Sequence, residues 1–343
     1  MKLISFTVPC YNSAAYMSKC IDSILVGGDS VEIIIVNDGS TDDTGKIADE
    51  YKERYPDIVK VIHKPNGGHG SGVNAGVAAS EGLYIKIVDS DDWVDETAYN
   101  KVLETIRKHE REETLPDLYI TNFVYSRVHD GKYHTSQYRD KLKPDVICDF
   151  SDMKQFHYSR MLLMHSLMYK RDMYVASDTI LPEHTFYVDN IFAYTPLPYV
   201  ETLCYIDVDF YRYFIGRADQ SVTQKNIVAR YQQQIRVMKI MADRYSYDYI
   251  KSRSKGLRKY MFHALSAIMT ITMYFTCGGK DNVKERKAAY KELWAHIKAH
   301  DKKLYRKLRY RSYPLAADLL PWPLRRFVMG KSYAYLCRKI YLG

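Results

Sequence analysis

A chain of 343 residues, 46% hydrophobic and 27% charged, can bury the core of one large or two ordinary domains, which excludes a peptide or a disordered tail. Its formal charge of +9 is unevenly placed: residues 251–343 hold 22 Lys and Arg against 5 Asp and Glu, so the part before them is net acidic. That asymmetry turns the basic part toward a polyanion, whether nucleic acid, an anionic membrane surface or an acidic polymer, unless it only solvates helix faces. Six scattered cysteines form no C-x-x-C pair, which argues against a zinc site and reads as reduced thiols in a cytoplasmic protein. The apolar start of MKLISFTVPCYN is too short for a secretion signal. The 32 tyrosines hint at amphipathic surfaces or sugar-facing pockets.

In chain order, LISFTV (3–8) and EIIIVN (32–37) are almost wholly apolar, as strands buried on both faces are. IVKVIH (58–63), LYIKIV (83–88) and LYITNFVY (118–125) continue the series. Helical patterns over 13–25, 42–55, 71–80 and 95–109 separate them, the alternation of a parallel sheet with helices on its faces. Residues 126–220 are less regular and include the tyrosine-rich strand CYIDVDFYRYF (204–214). From about 223 the chain is helical and basic, so the expected division is 1–222 and 223–343. The uncharged segment 261–279 approaches spanning length, but His263, Ser266 and several threonines dilute it; it reads as a buried or membrane-resting helix rather than a span. The tail from 312 sets Trp322 and Phe327 beside arginines, as an interfacial helix would.

Four polar turns end the early strands, and in an open α/β sheet ligands sit beyond the strands' carboxyl ends. In VPCYN, Pro9 halts the first strand and Tyr11 stands where its ring could stack on a base. In NDGSTDDT, Asp38 either closes a turn or is free to accept hydrogen bonds from a ligand, and Ser40 or Thr41 caps the next helix. KPNGGHGSGVNAG (64–76) is a glycine-rich loop that can bring backbone N–H groups to phosphates or simply turn. It contains neither G-x-G-x-x-G nor a P-loop. In VDSDDW the close carboxylates Asp89, Asp91 and Asp92 repel one another unless a cation or a proton intervenes. A D-x-D pair there can hold a hard divalent ion on a diphosphate; the alternative is an Asp-rich turn that caps the helix beginning near Val94.

Together, VPCYN, VNDGSTDDT, NGGHGSGVNAG and VDSDDW resemble the family 2 glycosyltransferases, strongly over residues 3–100 and more weakly to about 222. The resemblance implies a GT-A, Rossmann-like, mostly parallel sheet flanked by helices, here with a helical C-terminal extension. It implies inverting, metal-dependent transfer of a sugar from a nucleotide donor, typically UDP, to a saccharide or lipid-linked hydroxyl, as in cell-surface polysaccharide synthesis. By the same resemblance, Pro9, Tyr11 and Asp38 hold the nucleotide, and Asp89 and Asp91 hold Mn²⁺ or Mg²⁺, with Asp91 as direct ligand. The family's arginine in the glycine loop is absent, since Gly72 and Val73 stand there, leaving Asn66, His69 and Asn74 as substitutes. PEHTFYVDNIFAY (182–194) resembles the element that carries the family's catalytic base, here Asp189, with Glu183 and His184 in reserve. Arg212 and Arg217 fall in the segment that would close over the diphosphate. Attachment of the basic part to the cytoplasmic leaflet is expected, with oligomerisation as the alternative and nucleic acid disfavoured. Two competing functions remain: a D-x-D phosphatase of the haloacid dehalogenase type, and a non-catalytic polyanion-binding protein.

Overall fold

The computed structural model describes residues 1–127, 131, 133–157, 160–215 and 224–339, without the side chains of 224 and 336–339. Strands β1 (Ile4–Cys10), β2 (Val31–Asp38), β3 (Val59–Lys64) and β4 (Tyr84–Ile87) alternate with helices α1 (Met17–Leu25), α2 (Thr44–Arg54) and α3 (His69–Ala78). They pair in the order β3-β2-β1-β4, all parallel. β1, β2 and β4 are buried along their whole length, which is why their sequences are nearly continuous runs of apolar residues. Their carboxyl ends share one edge of the sheet, and the four polar turns open there.

The rest of the sheet is mixed. β5 (Trp93–Val94), α4 (Glu96–Arg111), β6 (Leu118–Arg127), β7 (Tyr133–Ser136), β8 (Ile147–Cys148), β9 (Leu167–Lys170), α5 (Arg171–Ala176), α6 (Asp189–Tyr194) and β10 (Leu203–Ile215) follow. β9 enters antiparallel between β4 and β6, and β10 lies parallel to β6. The sequence gives no sign of β9, because LMYK is too short to show a period.

Three local expectations are corrected. Pro9 does not halt β1: the strand runs through Cys10, with Pro9 opposite Val36. β4 has already ended opposite Thr7, so the proline's missing N–H falls where only one flank of β1 is paired. Ser40 and Thr41 do not cap α2. The N-cap position is Asp43, and the neighbouring Asp42 accepts the Thr44 N–H at 3.0 Å; Ser40 and Thr41 instead bond Asn12. Nor does the DSDD turn cap the next helix: Asp95 accepts the Ala98 N–H and α4 starts two residues after Val94.

The C-terminal helices are α7 (Gln224–Ala229), α8 (Tyr231–Arg244), α9 (Tyr247–Ser252), α10 (Lys255–Gly278), α11 (Val283–His300), α12 (Lys302–Tyr310), α13 (Pro314–Asp318) and α14 (Trp322–Lys339). α10 is long and apolar enough to cross a membrane, yet 78% of its most apolar window is buried within the protein. It packs against α8, α11 and α14, and Tyr260 accepts the Leu162 N–H at 2.8 Å. The apolar core therefore runs from the sheet into these helices without a break.

Candidate functional site

Asp38, at the end of β2, is buried and not free. Its carboxylate accepts from the Lys64 ammonium at 2.6 Å and from the N–H groups of Gly67 and Gly68 at 2.9 and 2.7 Å. A carboxylate offers about four acceptor positions, so about one remains for a ligand. Two glycine-loop amides that the sequence assigned to phosphate are thus turned onto Asp38. Gly68 has φ +84°, a left-handed conformation that favours glycine, and Asn66 donates to the Asp38 carbonyl at 2.9 Å.

The smallness of this loop serves a long-range contact. A Cβ on Gly70 would lie 2.8 Å from the Pro182 carbonyl oxygen, and the His184 N–H reaches the Gly67 carbonyl at 2.7 Å. Ser71 donates to Glu183 at 2.8 Å. Both ends of the Asn74 amide are engaged by the Leu181 backbone, at 2.8 and 3.0 Å, so Asn74 fixes the 181–185 segment. Pro9 lies in β1 beneath Gly72, while Tyr11 stands exposed on the rim.

The DSDD turn disposes of its crowded charge in three ways. Asp89 sits 2.7 Å from His69 Nε2. Burial alone would raise the Asp89 carboxyl, but His69, then His165 and Lys86, bring it below the usual range. Asp92 is fully buried and accepts from the Tyr211 hydroxyl at 2.6 Å and the Phe214 N–H at 2.7 Å. Burial, then the charges of Asp91 and Asp89, push its carboxyl well up. Asp91 stays half-buried in the same turn.

His165 is a residue that sequence reasoning missed. It comes from the turn before β9, and its Nε2 lies 3.9 Å from Asp89. Burial, against the opposing pull of Asp89, lowers it to about 4, so the imidazole is neutral, as a metal ligand must be. Its Nδ1 is buried without a hydrogen-bond partner among the described residues. The buried Lys86 sets this turn by donating to the carbonyls of Met164, His165 and Leu167. Asp89, Asp92 and His165 each offer a ligand atom, all within 4.8 Å of one another. Carboxylate oxygens and one neutral imidazole fit a divalent ion such as Mn²⁺.

Asp189 opens α6 and is half-buried. Burial raises its carboxyl to about 6, with His69 opposing and Asp89 adding to the rise. For His69, burial would lower the imidazole, but Asp89, Asp189 and Asp91 outweigh it and hold it above its ordinary value. His69 is thus hydrogen-bonded to the turn after β4 and acts by its charge on the head of α6. Arg212 does not face this group: it pairs with Asp95 at 2.8 Å. Arg217 lies outside the described residues. A cleft of about 340 Å³ between α11 and α12–α14 shares no residue with this rim.

Residues 5–172 match the family described as glycosyl transferase family 2. EpsH and EpsJ of Bacillus subtilis, both named as glycosyltransferases, are 30% identical over 245 residues and 31% over 217. These alignments cover 68% and 62% of this chain, but 64% and 60% of the relatives, so the chain spans about three fifths of their length. Residues 1–349 of S. aureus TarS superpose with a TM-score of 0.65 at 17% identity, covering 98% of this chain and 92% of that one. A complex of the same TarS region with UDP-GlcNAc gives 0.54 at 15% identity, over 91% and 93%. The phosphatase alternative falls with these matches. Residues 5–172 carry a glycosyltransferase family 2 domain, and the fold is that of the GT-A enzymes.

Proposed function

We propose that this glycosyltransferase moves a sugar from a UDP-linked donor to a hydroxyl of a saccharide or lipid-linked acceptor, inverting the anomeric carbon, in the cytoplasm, as in cell-surface polysaccharide synthesis. The observation that carries the reading is the setting of Asp189. It is half-buried beside the His69–Asp89 pair, with its carboxyl raised to about 6, near the value at which a carboxylate accepts a proton efficiently at neutral pH. In this reading Asp189 takes the acceptor hydroxyl's proton as that oxygen attacks the face of the sugar opposite the diphosphate. His69 bonds Asp89 and acts by its charge on Asp189.

Asp89 and Asp91, with Asp92 and His165 beside them, would hold Mn²⁺ or Mg²⁺. When bound, such an ion neutralises charge on the departing diphosphate. Tyr11 would stack on the base, and the remaining acceptor position of Asp38 would take a base N–H. The UDP-GlcNAc complex of the TarS region supports a nucleotide sugar as donor class. Residues 1–222 carry the chemistry in this reading, and residues 223–343 brace it.

Isothermal titration with UDP, with and without Mn²⁺, tests nucleotide and metal together, and a panel of nucleotide sugars followed by slow donor hydrolysis tests the sugar. Metal-enhanced UDP binding and hydrolysis of one donor are expected. UDP binding that Mn²⁺ leaves unchanged would overturn the metal-dependent reading.

A further inference from the structure

Helix α14 carries apolar side chains on two opposite faces. Trp322, Arg325, Met329 and Tyr333 follow helical spacing along one of them, and this face is covered. Met329 is buried, Tyr333 stacks on Tyr274 of α10 at 4.2 Å, and Trp322 meets Tyr290 of α11 edge-on at 6.2 Å. About half a turn away lie Leu324, Phe327, Val328 and Tyr335, which are 46%, 60%, 37% and 62% exposed, with Leu319 at 76% just before the helix. A helix apolar on both sides is normally buried on both sides. Here the second side is open.

The charges around this stripe say what covers it. From 302 to 343 the sequence holds one acidic residue, Asp318. That carboxylate is buried against Arg309 and Arg325 and accepts from the Tyr290 hydroxyl, so described residues 302–339 present no exposed carboxylate. Lys331 stands within the stripe, and its ammonium lies 5.7 Å from the Phe327 ring centroid. Such a lysine can lay its stem along apolar surface while its charge stays at a polar boundary. Lys302, Arg306 and Arg311 add exposed cations on the neighbouring stretch. A second copy of this chain is a poor cover, because a two-fold contact would set Lys331 against its own image with no carboxylate from this stretch between them.

We propose that the outer face of α14 docks on an anionic phospholipid surface, with Leu324, Phe327 and Val328 entering the headgroup boundary and Lys331 meeting lipid phosphate. This arrangement joins apolar burial to attraction for anionic lipid, the pair of forces that holds interfacial helices. It needs no donor or acceptor sugar, so it stands or falls apart from the transfer reaction.

The test is co-sedimentation of the full chain with vesicles of phosphatidylglycerol or of phosphatidylcholine. Binding to phosphatidylglycerol that weakens with salt, and little binding to phosphatidylcholine, is expected. The double variant Leu324→Ser, Phe327→Ser should lose affinity by at least about tenfold, and Lys331→Glu should also weaken it. All three side chains are exposed, so an unchanged thermal melt will report intact folding. No vesicle binding by the wild-type chain, or undiminished binding by the double variant, overturns the proposal. A lipid-free dimer that Phe327→Ser dissociates would also overturn it, by assigning the face to a second copy.

Discussion

Arg236 of α8 donates to the Thr185 hydroxyl at 2.8 Å and also reaches the Glu183 carbonyl at 3.1 Å. One turn earlier, Gln233 accepts the Phe186 N–H at 2.8 Å, and the Arg230 guanidinium stacks 3.6 Å from the Phe186 ring centroid. Two side chains of α8 and the arginine at its N-cap thus hold the segment that leads into Asp189. The C-terminal helices act on the site through this brace rather than by entering it.

Arg236→Ala should therefore lower kcat by about tenfold or more while leaving metal-dependent UDP binding within about twofold, since misplacing a proton acceptor costs turnover rather than nucleotide affinity. Arg236→Lys should recover part of the loss, because an ammonium can reach one of the two oxygens but not form the planar fork. Steady-state kinetics beside UDP titration separates the cases. Equal losses in kcat and UDP affinity would mean a general disruption.

Gly70 is the tightest contact between the glycine loop and the same segment. A Cβ there would meet the Pro182 carbonyl oxygen at 2.8 Å and the Leu181 side chain at 3.0 Å, and backbone cannot give way as a flexible side chain can. Gly70→Ala should destabilise the fold by about 1–3 kcal/mol and reduce turnover, as a denaturant melt and an assay will show. If both are unchanged, the loop's glycines are not there for this contact.

These relationships mark where the sequence stops being legible. The strands LISFTV and EIIIVN announce themselves because burial on both faces demands unbroken apolar runs, and the four polar turns follow from parallel pairing. Asp38 was visible as a strand-end carboxylate, but its engagement with Gly67 and Gly68 was not, since residues 29 and 30 positions away carry no local mark. His165 was hidden for another reason. In LLMHSLMYK a lone histidine in an apolar run reads as core, and only the antiparallel entry of β9 brings it to Asp89.

His165 also separates two accounts of the cation. If Asp89 and Asp91 alone hold Mn²⁺, then His165→Ala should leave the Mn²⁺ enhancement of UDP binding untouched, and Asp91→Ala should abolish it. With the Asp89, Asp92 and His165 atoms within 4.8 Å of one another, the expected result is that His165→Ala weakens Mn²⁺-dependent UDP binding on the order of 10–100-fold. UDP titrations across a Mn²⁺ series will read the difference.

Asp189 yields predictions of opposite sign for activity and stability. As the proton acceptor it must be ionised, so kcat should fall as pH drops through about 6. Asp189→Asn should abolish transfer while leaving Mn²⁺-dependent UDP binding nearly intact. For stability, a carboxyl raised in the fold above its unfolded value of 3.8 makes the native state hold the extra proton between those two values. Its contribution is fully present below about pH 4 and is lost as pH rises through about 6, so above that the ionised carboxylate is a burden on the fold. Removing the charge should then raise stability at pH 8 by on the order of 1–3 kcal/mol and change little at pH 4. Melts of Asp189→Asn and the wild-type chain in EDTA at both pH values will check this. A variant less stable at pH 8 than the wild type would show that the carboxylate is stabilised where it lies, and would remove the reason for its raised value.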